Sequence, residues 1–539
     1  MPVLNWIGKE KIVNHDKEVP FRLLRKNKKY SLGKNENLII EGDNLEALKA
    51  LMPFYYGKIK CIYIDPPYNT GNEKWVYNDR VNAPKIKEWL GRVVGPEGED
   101  LCRHDKWLCM MYPRLKLLHD LLSDSGYIFV SIDDNEHCNF KKIMDDIFGP
   151  ENFITTFIWN KKNVVQNDAR FASVNHDYVV CYVKKLNDNK FNLLPRTRKL
   201  NERYENPDSD PRGLWTSVAL QAKSGSESNI YKITFPKKKR SWSKEILPYG
   251  VVTWKPVSGT YPRLTKESLL KAYREGRLWF GKDGKNVPRF KKYLNEVKQG
   301  IVSNSILIPE EVGSTQMAKE TIKRILGKNI FETPKPVELI KRFIQLSCDK
   351  KDLILDSFAG SGTTAHAVLS LNKEDGGNRK FILVELEKNI AKKITAERVK
   401  RVSRGYSYKT GKGKVVKIPG LGGGFEYVEL GEPLFNENGM INEKVSYSDM
   451  ARYIFFTETH TNLENRNIKE NYLGRYGDYH YFLLFDGIKN NILNRKFLKE
   501  IKKKDGKKIV YADKCLLDED VLDKYQIIFK QIPYQIKVY

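Results

Sequence analysis

The chain has 539 residues, 40% of them hydrophobic, enough for about two to four domains with ordinary cores. Lys and Arg number 94 against 67 Asp and Glu, a formal charge of +27, which suits a polyanion such as nucleic acid better than a neutral metabolite. No run approaches the roughly eighteen apolar residues of a membrane span and the opening MPVLNWIGKEKIV has no signal-peptide core, so a cytoplasmic protein without membrane attachment is expected.

In chain order, residues 38–41 (LIIE) read as a strand, followed by Gly42-Asp43-Asn44 and a helix over 44–51. Residues 61–64 form the next strand and run into Asp65-Pro66-Pro67-Tyr68, then Asn69-Thr70-Gly71. Two prolines end a strand in a stiff extended turn. In that turn the Asp65 carboxylate and the Pro66 carbonyl are two acceptors that can hold both hydrogens of an exocyclic amine, while Tyr68 offers a flat face to an extruded base. The plainer alternative is a surface turn, since Asp and Pro are common there. Seven cysteines form no CxxC pair, and Cys102, His104 and Cys109 lack a fourth ligand, so no disulfide framework and no metal site is expected.

Helices over 112–123 and 136–147 then alternate with strands over 127–132, 152–159 and 178–183, which predicts a mostly parallel, doubly wound α/β sheet. From about residue 190 the pattern breaks into Pro, Gly, Lys and aromatic-rich text, including residues 236–242 (PKKKRSW), 254–256 (WKP) and 277–280 (RLWF). Residues 190–325 therefore read as an inserted module whose basic and aromatic side chains suit phosphates and bases; a merely solvated accessory domain is the alternative.

Thr333-Pro334-Lys335-Pro336 precedes a helix over 337–347, and residues 351–355 (KDLIL) form a strand running into Asp356-Ser357-Phe358-Ala359-Gly360-Ser361-Gly362-Thr363-Thr364-Ala365. Strand, glycine turn and helix receive a nucleotide-like ligand at the carboxyl end of a parallel sheet. A third strand over 381–384 ends at Glu385, placed to accept from ribose hydroxyls. Gly420-Leu421-Gly422-Gly423-Gly424 reads as a flexible join to a carboxyl-terminal α+β domain.

With its DPPY motif ahead of the FxGxG motif and TPKP just before the latter, the chain resembles the β-class amino-group DNA methyltransferases, and more narrowly the Mod subunits of type III restriction-modification systems. The latter likeness extends to residues 206–213 (NPDSDPRG), 281–284 (GKDG) and 455–459 (FFTET). The resemblance implies a Rossmann-like methyltransferase sheet that uses S-adenosyl-L-methionine to methylate N6 of a flipped-out adenine in double-stranded DNA; aspartate in DPPY is usual for adenine enzymes, serine for many cytosine-N4 enzymes. It assigns Asp65, Pro66, Pro67 and Tyr68 to catalysis, and Asp43, Thr333, Lys335, Asp356, Phe358, Gly360, Gly362, Thr363 and Glu385 to the cofactor. Its domain order implies a catalytic half over 1–189, a target-recognition domain over 190–325, a cofactor-binding half over 326–410 and an accessory domain over 411–539. A homodimer and a separate restriction (Res) subunit are the implied partners. Asp43 as a helix cap and TPKP as a helix-start signal remain alternatives. At the level of function, the rivals are a stand-alone adenine or cytosine-N4 enzyme, an NAD-dependent oxidoreductase (Gly360 to Ala365 fits GxGxxA), a non-catalytic nucleic-acid-binding subunit, and an RNA-directed enzyme.

Overall fold

The computed structural model describes residues 4–33, 36–70, 103–162, 164, 170–226, 230–236, 251–327, 330–464, 468, 471–487, 491–501 and 504–532. The chain divides into two compact units, one made of Met1–Asn192 with Asn304–Tyr539 and the other of Leu193–Ser303.

The larger unit is built on a ten-stranded sheet. Its strands in chain order are β1 Arg22–Lys26, β2 Leu38–Glu41, β3 Ile59–Ile64, β4 Leu122–Ile132, β5 Phe153–Asn160, β6 His176–Val183, β7 Ile306–Leu307, β8 Leu353–Asp356, β9 Lys380–Glu385 and β10 Glu426–Pro433. Their spatial order is β1-β10-β2-β9-β8-β3-β4-β6-β5-β7. From β10 to β4 every pair is parallel, and β6 runs antiparallel to both β4 and β5. The near-continuous apolar text of β3, β8 and β9 fits strands covered on both faces. β3 and β8 pair in register Ile354↔Cys61, although nearly three hundred positions separate them. On one side of this pair the chain continues to β4 and on the other to β9, so a crevice opens at their carboxyl ends.

Three expectations need correction. Residues 304–325 belong to the larger unit, because β7 pairs with β5, so the inserted module is Leu193–Ser303 and not 190–325. The 411 boundary also fails. Strand β10 enters the central sheet beside β2, and the Tyr447–Thr459 helix buries Met450, Tyr453, Ile454 and Phe456 in the same core. The glycine stretch 420–424 is no loose join. Leu421 and Gly422 donate to the carbonyls of Val402 and Ser403, and Gly424 accepts from Asn37.

A four-stranded sheet over Tyr472–Tyr476, Tyr479–Leu483, Lys507–Ala512 and Ile527–Gln531 completes the larger unit. Among the described residues no helix is long and apolar enough to cross a membrane.

The smaller unit holds a three-stranded sheet, Leu278–Trp279, Arg289–Tyr293 and Trp215–Ala219, and a helix, Lys266–Arg274, capped by Thr265. Its core gathers Leu220, Ile233, Phe235, Trp254, Leu269 and Phe280. Trp254 and Phe280 are thus spent on packing rather than on a surface that stacks on bases. Residues 237–242 of the basic stretch lie outside the described residues.

Candidate active site

Asp65 follows the last residue of β3, and Asp356 and Glu385 are the last residues of β8 and β9. Three neighbouring parallel strands therefore deliver three carboxylates to one edge of the sheet. The DPPY turn is pinned from below. Trp107 Nε1 donates to the Pro67 carbonyl at 2.7 Å. Asn69 adopts the left-handed conformation, φ 57°, and its amide donates to Glu136 Oε1 and to the Arg103 carbonyl. Glu136 is fully buried, and also engages His104 at 2.7 Å and Asn139 at 2.9 Å.

The glycine loop is held just as closely. Gly360 has φ 49° and Gly362 φ 75°, conformations that L side chains adopt only under strain. Asp356 accepts from the Phe358 amide at 3.0 Å and from Thr364 Oγ1 at 2.5 Å, so it braces the turn internally. Glu385 accepts from the Gly360 amide at 2.8 Å and the Glu387 amide at 2.9 Å. Burial pushes both carboxyls up to about 7. Thr395 Oγ1 donates to the Gly360 carbonyl at 2.6 Å, from a π-helical turn over Ala391–Thr395. Arg398, buried under the loop, donates to the Ser361 carbonyl and to the hydroxyls of Ser361 and Thr363 at 2.8 to 3.2 Å.

The two loops meet. Lys335 Nζ lies 2.5 Å from Asp65 Oδ2, 5.0 Å from the centre of the Tyr68 ring and 5.9 Å from that of Trp159. Its backbone carbonyl accepts from Thr363 Oγ1 at 3.2 Å, the first residue of the helix Thr363–Asp375. Asn44 adds a second tie, its amide donating to the Ser357 carbonyl at 3.0 Å. Burial raises the Asp65 carboxyl, while Lys335 beside it and the nearby Tyr68 phenol pull the other way.

Of the residues singled out in the sequence, Asp65, Tyr68, Lys335, Asp356, Phe358, Gly360, Gly362, Thr363 and Glu385 fall at this crevice. Pro66 is buried in the turn, and the Pro67 carbonyl is occupied by Trp107. Thr333, half-buried, joins the same segment through the TPKP run, in which Pro336 caps the Val337–Ser347 helix. Asp43 is a helix cap, accepting from the amides of Leu45 and Glu46 and pairing with Arg114 at 3.1 Å.

Trp107, Arg114, Glu136 and Arg398 were not singled out. Arg114 and Arg398 carried a usable signal. Each sits on the apolar stripe of its helix, Arg114 between Met110 and Leu118, Arg398 between Thr395 and Val402, where a basic residue must have buried partners.

The family described as DNA methylase matches residues 59–397. The StyLTI Mod subunit of a type III restriction-modification enzyme, from Salmonella typhimurium, is 35% identical over 391 residues, covering 69% of this chain and 56% of that protein. The EcoP15I Mod subunit from Escherichia coli is 31% identical over 435 residues, 71% of this chain and 64% of its own length. The type II methyltransferase M.KpnI from Klebsiella pneumoniae is 30% identical over 371 residues, 67% of this chain and 83% of its own. The chain thus spans between about half and two thirds of the length of the Mod subunits. The matched segment begins at the first residue of β3 and ends beyond β9, enclosing both loops of the crevice: the chain belongs to the DNA methylase family.

Proposed function

We propose that this chain transfers a methyl group from S-adenosyl-L-methionine to N6 of an adenine rotated out of double-stranded DNA, as the modification subunit of a type III restriction-modification system. One observation carries this: the acidic DPPY turn and the glycine loop converge at the carboxyl ends of adjacent parallel strands.

A sulfonium donor fits the residues present. Asp65, Asp356 and Glu385 are acidic groups at the ends of three neighbouring strands, Asp65 paired with Lys335, and a positively charged ligand among them would favour their ionised forms. The loop's left-handed glycines bring backbone close to it, and Glu385 keeps lone pairs for ribose hydroxyls. When bound, the donor supplies an electrophilic methyl carbon. The Asp65 carboxylate and Pro66 carbonyl then accept the two amine hydrogens of N6 and aim its lone pair, while Tyr68 stacks on the base. Forming the N–C bond would break the bond from the methyl carbon to sulfur and release a neutral thioether, and the amine proton would pass to the Asp65 carboxylate, whose affinity for protons is raised by burial.

The Leu193–Ser303 unit reads the target sequence in this proposal. Its most basic stretch and the overall charge of +27 supply phosphate contacts. A homodimer, a separate restriction polypeptide and action in the cytoplasm complete the reading. Single-molecule sequencing of DNA from cells expressing the chain tests it: modified adenines in one sequence context are expected. Modification of cytosine, or of RNA alone in parallel assays, would overturn it.

A further inference from the structure

The Lys335 ammonium is chemically like the group that Asp65 is to receive: a nitrogen with hydrogens to donate. It sits on Asp65 Oδ2 at 2.5 Å, with its side chain largely enclosed and its charge over the Tyr68 ring. Lys335 and a target amine compete for the same acceptor and the same aromatic face. Something must draw the lysine off before the base can enter.

Asp177, a carboxylate that also acts on Asp65, is no destination, since Lys161 holds it at 2.5 Å. Asp356 accepts from Phe358 and Thr364, and Glu385 from the amides of Gly360 and Glu387. The Lys335 backbone, by contrast, is fixed to Thr363 at the start of the glycine-loop helix, so its side chain pivots from a point between the two loops. A carboxylate arriving with a ligand on the glycine loop would be a fresh acceptor within the sweep of a four-carbon side chain.

Resting on the methyl-donor reading above, we propose that Lys335 is a positioning residue that blocks Asp65 in the free protein and is transferred to the amino-acid carboxylate of the donor, so that donor binding opens Asp65 to the target amine. Two acceptors sharing one cation are antagonists. Asp65 therefore weakens donor binding, and by reciprocity the donor lowers the hold of Lys335 on Asp65.

Calorimetry on the full chain tests this without DNA. S-adenosyl-L-homocysteine is the probe, because its neutral sulfur removes any direct attraction between Asp65 and a sulfonium. Asp65→Asn is expected to tighten its binding by about fivefold or more, the low end of ordinary coupling between sites. The same substitution should leave 5′-methylthioadenosine, which lacks the amino-acid carboxylate, unchanged. In a Lys335→Gln background Asp65→Asn should have no effect on either ligand. Asp65→Ser serves as a second variant if the asparagine protein folds poorly. Unchanged or weaker S-adenosyl-L-homocysteine binding in both Asp65 variants would overturn the proposal, as would equal tightening of both ligands. No binding of S-adenosyl-L-homocysteine to the wild type would instead remove the donor reading itself, and this inference with it.

Discussion

Asp65 and Gly360 separate chemistry from binding. Asp65→Ala removes the acceptor for the amine but leaves the glycine loop intact, so methyl transfer is expected to fall by at least about 10²-fold, the usual loss when one preorganised partner is removed. Donor binding should persist, and radiolabelled methyl incorporation beside calorimetry checks both. Gly360→Val acts in the opposite order. Its Cβ would meet Phe331 Cζ at 3.0 Å, in a backbone conformation that costs an L residue roughly 1–2 kcal/mol. Weaker donor binding and a lower melting temperature should appear before any change in the rate of a saturated enzyme. Both turns were legible in the sequence because their backbone signals are local: a proline pair fixes one and glycines mark the other. The contact of Lys335 with Asp65 was not legible, since it spans 270 positions and depends on which strands become neighbours.

Among elements, the DPPY turn depends on supports outside its own text. Glu136 holds Asn69, His104 and Asn139 together from the residue before the His137–Phe148 helix. Glu136→Ala should let the turn drift and slow transfer by up to roughly 10²-fold, the cost of small misplacement of reacting groups. Donor affinity should change little; a comparison of kcat with the calorimetric Kd checks the split. Strands β2, β3, β8 and β9 were readable as short apolar runs. Strand β10 was not, because its text, EYVELGEP, carries three glutamates and pairs with β2 across nearly four hundred residues.

The NPDSDPRG stretch, opaque as text, turns out to be the buried ionic centre of the smaller unit. Lys291 Nζ lies 2.5 Å from Asp208 and 2.8 Å from Asp210, and Asp210 also accepts from Arg212 and Tyr293 at 2.7 Å. Burial alone would push the Asp210 carboxyl up, but the bonds from Arg212, Lys291 and Tyr293 outweigh it and hold it well below the usual carboxylate range. Its stabilising effect is therefore full above the unfolded pKa near 3.8 and is lost as pH falls below that value. Asp210→Asn should cost about 3–5 kcal/mol at pH 7, as for other broken buried pairs. The gap between wild-type and variant melting temperatures should narrow below about pH 4, where the unfolded chain binds the proton that the native carboxyl resists.

At the level of the whole molecule, the fold class and the α/β alternation were readable from periodicity, whereas both outer boundaries of the inserted module and of the tail were misplaced. Composition marks where a pattern breaks, yet β7 and β10 rejoin the sheet through pairings that composition does not record. Transplanting Leu193–Ser303 between two such enzymes should carry the methylated sequence with it, read by sequencing the modified DNA; a product pattern that stays with the recipient would deny this unit its reading role.

Both margins of that unit are anchored. Within it, Leu194 and Ile301 exchange amide–carbonyl bonds of 2.9 Å and close its base like a clasp. Within the larger unit, Asn192 donates to the Leu346 carbonyl and Ser305 accepts from Ile158, each at 2.8 Å. Whatever lies between the clasped ends can lengthen, shrink or be replaced without unthreading the strands that hold the carboxylates. With the reading role proposed for that unit, a lineage carrying this architecture would acquire new addresses on the genome by recombination at two seams, keeping one unchanged chemical engine.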